Sequence, residues 1–341
     1  MESALRFPFA DLPARGATLA VAPGVSWLRM PLPFALDHIN LWLVDEADGA
    51  VSAIDTGFAL DDVKAAWQSV LAGRRLERCI VTHAHPDHIG LAAWLEAEQG
   101  APLWVTQGEY MAAQLIVEQV GPYSSANMIR FFAAHGLDDA RVEALRARGN
   151  SYKFGVPQLP TTFRRIFDGD TLRIGGHDWR VMVGYGHAAE HASLYCAALG
   201  VLIAGDMLLP RITTNVPALS MCPLDDPLAK FLQAIDAYLA LPDDTLVLPS
   251  HGRPFVGIAE RVRQLHAHHA DRCARLLAAC DTPKTATELI PVLFDRDIPD
   301  PHQVMFAMGE AIAHLNHLEH QGRLSRTTAD GITRFVERRS S

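Results

Sequence analysis

The sequence predicts an α/β protein followed by a small C-terminal helical, winged-helix-like unit. Three observations carry that expectation. Short apolar runs bounded by Pro, Gly and Asp alternate with amphipathic stretches through residues 1–258. A histidine-rich turn at 82–90 stands where one such run ends and a helix begins. From about residue 259 the pattern changes to helices closed by two short strands.

In chain order, strands are expected at 18–22, 25–30, 39–44 and 51–55, with Asp48-Gly49 as a hairpin turn. A helix over 61–71 places Val63, Ala66, Trp67 and Val70 on one face. A strand at 78–82 leads into a helix over 88–99 closed by Gly100, and a strand follows at 103–106. The segment at about 108–160 reads as a helical insertion whose Tyr123, Phe131, Phe132, Tyr152 and Phe154 are candidates to cap a cleft. Strands resume at 163–166, 172–174, 179–183, 193–196 and 201–204, then a helix at 227–239 and a strand at 245–248. The second domain, 259–341, holds a long linker helix starting near 258, helices at 286–294 and 302–320, and strands at 323–327 and 332–336.

Composition bounds the function. The chain has 341 residues, 49% hydrophobic and 20% charged, which is enough apolar content for a packed core and excludes global disorder. Thirty Lys and Arg against 39 Asp and Glu leave a net charge of −9, which repels phosphate backbones. From Glu260 onward, 11 basic residues balance 11 acidic ones, and none of the basic ones lies between His302 and His320. Nucleic acid is therefore not an expected partner, and the C-terminal unit reads as a structural or homodimerising element. The longest apolar run, at about 196–204, is too short to cross a bilayer, and the N-terminus has no signal-like pattern. Five scattered cysteines without a Cys-x-x-Cys pair suit a reducing compartment, so a cytoplasmic protein is expected.

The unusual feature is the placement of the 16 histidines. Residues 82–90 read T-H-A-H-P-D-H-I-G. His83 and His85 are two apart at the end of a strand, so extended backbone points both imidazoles to one face. Asp87 and His88 follow across a turn, where they can serve a second ion. Histidines so spaced arise by chance about 0.04 times in a chain of this composition. Three other apolar runs end in ionisable residues: His187, Asp206 and His251. His38, just before another run, is a candidate to border the same site. Two further groups, His266, His268 and His269, and His314, His317 and His320, are expected on solvated or subunit-facing helix surfaces.

T-H-A-H-P-D-H-I-G resembles the signature of the metallo-β-lactamase-fold hydrolases. The likeness extends to Asp55-Thr56-Gly57, Gly186-His187 with His191, Gly205-Asp206 and Ser250-His251-Gly252. It implies an αββα sandwich with metals at the edge of the sheets. It also implies that His83, His85 and His187 hold one ion, that Asp87, His88 and His251 hold the other, and that Asp206 bridges them. Asp55 is implied to support the site from behind, and His191 to orient it or contact substrate. Many relatives carry Thr-Pro-Gly where this chain has Ala188-Ala189-Glu190. A C-terminal winged-helix-like unit is similar to a branch that includes thioesterase and glyoxalase II-like members.

The expected chemistry is hydrolysis by a metal-bound hydroxide, with Asp87 and His191 as the catalytic side chains. Two zinc ions are expected, with iron or manganese as alternatives. A thioester or other small acyl substrate is favoured. The alternatives are a metal-dependent endoribonuclease or phosphodiesterase, and a lactone or β-lactam hydrolase. No G-x-S-x-G elbow or Walker motif is present in the sequence.

Overall fold

The computed structural model describes residues 5–338. The chain forms two compact units: residues up to 117 with 151–214 and 234–262, and residues 118–150 with 215–233 and those from 263 onward.

In the first unit, β1 (Thr18–Ala22), β2 (Val25–Pro31), β3 (His38–Asp45), β4 (Val51–Ile54), β5 (Leu76–Ile80), β6 (Leu103–Val105) and β7 (Arg164–Arg165) form one sheet in chain order. Pairing is antiparallel from β1 to β4 and parallel from β4 to β7. The second sheet runs β12-β11-β10-β9-β8, from β8 (Thr171–Ile174), β9 (His177–Gly184), β10 (His191–Cys196), β11 (Val201–Gly205) and β12 (Leu246–Pro249).

Side-chain alternation explains the layers. Trp27, Trp42, Val44 and Ile54 of the first sheet are buried against Trp179, Val181, Leu194 and Ile203 of the second. Trp27 and Trp42 are cross-strand partners whose rings stack at 6.1 Å. The alternate residues Leu28, Leu41, Leu43 and Ala53 face the other way. There they meet Val63, Ala66 and Trp67 of α1 (Asp61–Val70) and Leu91 and Leu95 beyond it. On the outer side of the second sheet, Ser193 hydrogen-bonds the Tyr238 hydroxyl at 2.7 Å. The result is the expected αββα sandwich.

One expected helix is divided. Instead of a run over 88–99, the chain makes α2 (Pro86–Ile89) and α3 (Ala92–Gln99). The break has a physical cause: the Leu91 N–H donates to Thr56 Oγ1 at 3.1 Å rather than continuing the helix. At the same point, a Cβ on Gly90 would collide with the carbonyl oxygens of Gly155, Pro86 and Gly57. Backbone cannot yield as a flexible side chain can, so Gly90→Ala should destabilise the protein by about 1–3 kcal/mol or more. The check is a thermal midpoint clearly below the parent's; an unchanged midpoint would contradict the close packing. The next helix is α4 (Gln107–Val117).

The second unit begins with α5 (Ser125–Ala134) and α6 (Asp139–Arg148), after which the chain returns to the first unit through the short α7 (Tyr152–Gly155). Later come α8 (Pro227–Asp236), α9 (Ile258–Ala279), α10 (Ala286–Phe294) and α11 (Pro301–His320). A hairpin of β13 (Leu324–Ala329) and β14 (Ile332–Glu337) follows. Thr285 and Glu288 form a capping box at α10, and Asp300 caps α11.

One histidine of each C-terminal group lies in the interior rather than on a solvated face. His269 and His314 are buried, with Nδ1 of the first 3.1 Å from Nε2 of the second. Phe231 packs edge-on against His269. Burial pushes His269 down to about 2 and His314 to about 4, so a neutral pair can share one proton as donor and acceptor. His317 pairs with Asp226 at 2.9 Å, and His320 Nε2 lies 2.9 Å from the Leu224 carbonyl. His269 and His314 are buried because each finds the other as partner, which their spacing along the helices does not reveal, whereas His317 is half-buried and His320 exposed. Among the described residues no helix is long and apolar enough to cross a membrane.

Candidate metal centre

The site is built where strands end at one edge of the sandwich. Asp55 directly follows β4 and adopts a left-handed φ of 66°. That turn aims its carboxylate at the segment after β5. Asp55 Oδ1 accepts the Thr82 N–H at 2.8 Å, Thr82 Oγ1 lies 3.0 Å from both carboxylate oxygens, and Oδ2 lies 2.8 Å from His88 Nδ1. Asp55 therefore sets the tautomer of His88 and leaves Nε2 pointing inward. In the second sheet, Gly205 of β11 pairs with Pro249 of β12, so Asp206 and His251 leave the same edge side by side.

Two ligand groups result: His83, His85, His187 and Asp206, and Asp87, His88 and His251. Within each group one ligand atom per residue lies within 4.8 Å of the others. The seven residues that the sequence singles out thus converge. His83 Nε2 and His187 Nε2 are 3.1 Å apart, and His187 Nε2 is 3.5 Å from Asp206 Oδ2. The other oxygen, Oδ1, is 3.4 Å from His251 Nε2 and 3.6 Å from His88 Nε2. Asp87 Oδ2 stands 3.5 Å from His251 Nε2 and 3.7 Å from His88 Nε2. Asp206 thus turns one oxygen to each group.

The donor set fits divalent cations. Tetrahedral bonds of 2.0–2.1 Å place neighbouring ligand atoms about 3.3 Å apart, close to these spacings. His88 Nε2 and Asp206 Oδ1 are buried without a hydrogen-bond partner, an arrangement that costs free energy unless a cation meets them. Burial, with the neighbouring imidazoles, holds His83 and His85 well below the usual histidine range, in the neutral form that ligates. Burial opposes charge on His88, but Asp55, Asp87 and Asp206 raise it to about 10. Burial likewise opposes charge on Asp206, yet His251, His88 and His187 hold its carboxyl well below the usual range. The pocket is therefore set up for positive charge.

His191 stands behind this set. It is buried, its Nε2 accepts the Asp206 N–H at 3.1 Å, and its ring stacks on His83 at 4.8 Å. Gly205, at φ 54°, leaves room for that ring. The contacts place His191 as a support for the Asp206 turn. His38 borders the site as expected. Its carbonyl accepts the His251 Nδ1–H at 2.9 Å, and its Nε2 accepts the Gly252 N–H at 2.9 Å. His251 therefore also presents Nε2 inward.

Asn40 holds the same loop and is not singled out by the sequence reading. It donates to the Pro249 and Gly252 carbonyls at 2.8 and 2.9 Å and accepts from Trp27 Nε1 at 2.8 Å. Its signal in the sequence is a lone amide inside the apolar strand β3. Buried Glu109 on α4 is a second such residue, and its signal is the one charged side chain in an otherwise uncharged helix. Of the aromatic residues expected to cap a cleft, Tyr152 reaches the site loop through its hydroxyl on the Ala84 carbonyl, whereas Phe154 is 75% exposed.

The description Metallo-beta-lactamase superfamily matches residues 35–251, which span every residue of the two ligand groups. The chain belongs to that superfamily. A second description, Metallo-beta-lactamase-like, C-terminal domain, matches residues 273–338. The crystal structure of a beta-lactamase domain protein from Burkholderia ambifaria is 44% identical, with a TM-score of 0.90 over 98% of both chains. The probable metallo-hydrolase YqjP of Bacillus subtilis (strain 168) is 25% identical over 323 residues, 86% of this chain and 91% of that protein. A hydroxyacylglutathione hydrolase of Methylobacterium sp. (strain 4-46) is 24% identical over 215 residues, 63% of this chain and 62% of its own length. Glu190, beside this metallo-beta-lactamase superfamily site, turns its side chain to α4 rather than to the ligand groups.

Proposed function

We propose that this protein is a dinuclear, zinc-dependent hydrolase acting on an acyl thioester or a closely related small acyl compound. One observation carries the reading: the carboxylate of Asp206 is divided between two ligand groups, so the site is arranged for a pair of ions. Similarity to a hydroxyacylglutathione hydrolase, whose named substrate is a thioester, supports the substrate class. Two zinc ions bound there would supply Lewis acidity that brings the pKa of water to about 7.

The chain's own residues do the rest. His83, His85, His187, His88 and His251 present lone pairs from fixed positions. Asp55, the His38 carbonyl and Asn40 hold that geometry from behind. Asp87 is the more exposed of the two carboxylates among the ligand groups, with 17% side-chain exposure against 10% for Asp206. Its Oδ2 can accept the proton of an attacking water and release it to solvent. A thiol leaving group, with a pKa near 8.5, needs little help to depart as thiolate. The neutral C-terminal unit acts as a winged-helix-like structural or homodimerising element. Five free cysteines, four of them buried, suit a cytoplasmic enzyme.

The test is Asp87→Ala assayed with added zinc on a panel of acyl-CoA, acyl-glutathione and acyl-carrier thioesters, lactones and phosphodiesters. The parent should cleave a thioester, and the variant should lose about 10²–10⁴-fold in kcat/KM. Unchanged turnover would remove Asp87 from the mechanism. A parent that cleaves only lactones or phosphodiesters would overturn the substrate class.

A further inference from the structure

We infer that Glu109 is a positioning residue that locks together the two loops carrying the first ligand group, an inference resting on the metal-dependent reading above. Its carboxylate is 1% exposed and takes one backbone amide from each loop. Oε2 accepts the N–H of Ala84, between His83 and His85, at 2.7 Å. Oε1 accepts the N–H of Glu190, between His187 and His191, at 2.6 Å. One side chain on α4 thereby spans loops about a hundred residues apart in sequence, and three of the four members of the first group lie on them.

The contacts around this bridge make it a closed device. Glu190 returns the interaction: its Oε2 accepts the Gly108 N–H at 2.7 Å, in the first turn of α4. Its own carbonyl accepts from Thr106 Oγ1 at 2.9 Å. A Cβ on Gly108 would lie 2.8 Å from the Glu190 carboxyl carbon, so glycine there admits the carboxylate. On the other loop the Ala84 carbonyl accepts from the Tyr152 hydroxyl, so both backbone groups of Ala84 are held by side chains. The second ligand group has different supports, Asp55 and the His38 carbonyl. Glu109 therefore acts on one metal position more than on the other.

Glu109→Gln tests this without opening a cavity. The amide has one acceptor oxygen, and its NH2 must face the second backbone N–H, so one loop is released. Zinc is titrated into chelator-stripped protein against a chromophoric chelator. The same titration is run in a His251→Ala background, which isolates the first group. The expected result is a far-ultraviolet dichroism spectrum like the parent's and zinc affinity at the first group about 10–100-fold weaker. The other equivalent should change much less. Glu109→Asp keeps the charge but is too short for both amides, so it should show a smaller loss at the same group. It carries the test if the Gln protein does not fold. Unchanged affinity, or equal loss at both equivalents, would overturn the inference. The readout needs no substrate. A parent that binds two zinc ions but cleaves no thioester would sink the substrate reading and leave the bridge standing.

Discussion

Asp206→Ala protein will retain at most one metal equivalent and lose essentially all hydrolytic turnover. Among the described residues, Asp206 is the one whose two oxygens stand within about one tetrahedral edge of both groups, 3.5 Å from His187 and 3.4 and 3.6 Å from His251 and His88. Without it His88 and His251 lose the carboxylate beside them, and the one carboxylate that faces both ligand groups, which would hold a pair of ions together, is gone. A two-ion site contributes several kcal/mol to the transition state, so kcat/KM should fall by at least about 10³. Elemental analysis beside kinetics checks this. Two retained equivalents with turnover within tenfold of the parent would rule out the bridging arrangement. Chelator treatment of the parent should give the same inactivity, reversible on adding zinc.

Asp55→Ala should have the largest effect on folding. Asp55 belongs to neither ligand group, yet its loss removes the acceptor for the Thr82 N–H, the Thr82 hydroxyl and His88 Nδ1, all buried. Deleting one member of a buried charged pair costs about 3–5 kcal/mol. Alanine also tolerates a φ of 66° less well than aspartate, which can hydrogen-bond locally. For a unit of this size the thermal midpoint should fall by roughly 10 °C or more. His88 would also lose its orientation, so zinc affinity at the second group should drop. A midpoint within 2 °C or so of the parent's would show that Thr82 and His88 find other partners.

The ligand residues were legible because their chemistry is compressed into the sequence. Histidines at i and i+2 at a strand end, followed by Asp and His at a helix start, leave few alternatives to metal binding. His187, Asp206 and His251 are separately ordinary, and the shared habit of ending an apolar run made them legible. The helical histidines misled for the opposite reason. Spacing states which residues share a face of α9 or α11, but not what covers that face, and His269 with His314 is covered. The break at Gly90 was hidden likewise, because it depends on Thr56, Gly57 and Gly155, which are local only after folding.

The sequence by itself determined the layer pattern, the strand-end ligands and the divalent-cation chemistry, because these follow from residue type and short-range periodicity. Only the tertiary structure decided the contacts that hold the ligands: which atom Asp55 turns to His88 and His38 to His251, and that Asn40 fastens the His251 loop and Glu109 spans two loops. Apart from the Asp55–His88 pair, which joins two side chains, each of those supports uses a backbone group far away in the chain. A backbone amide carries no residue identity, so nothing in the sequence marks which carboxylate it will meet.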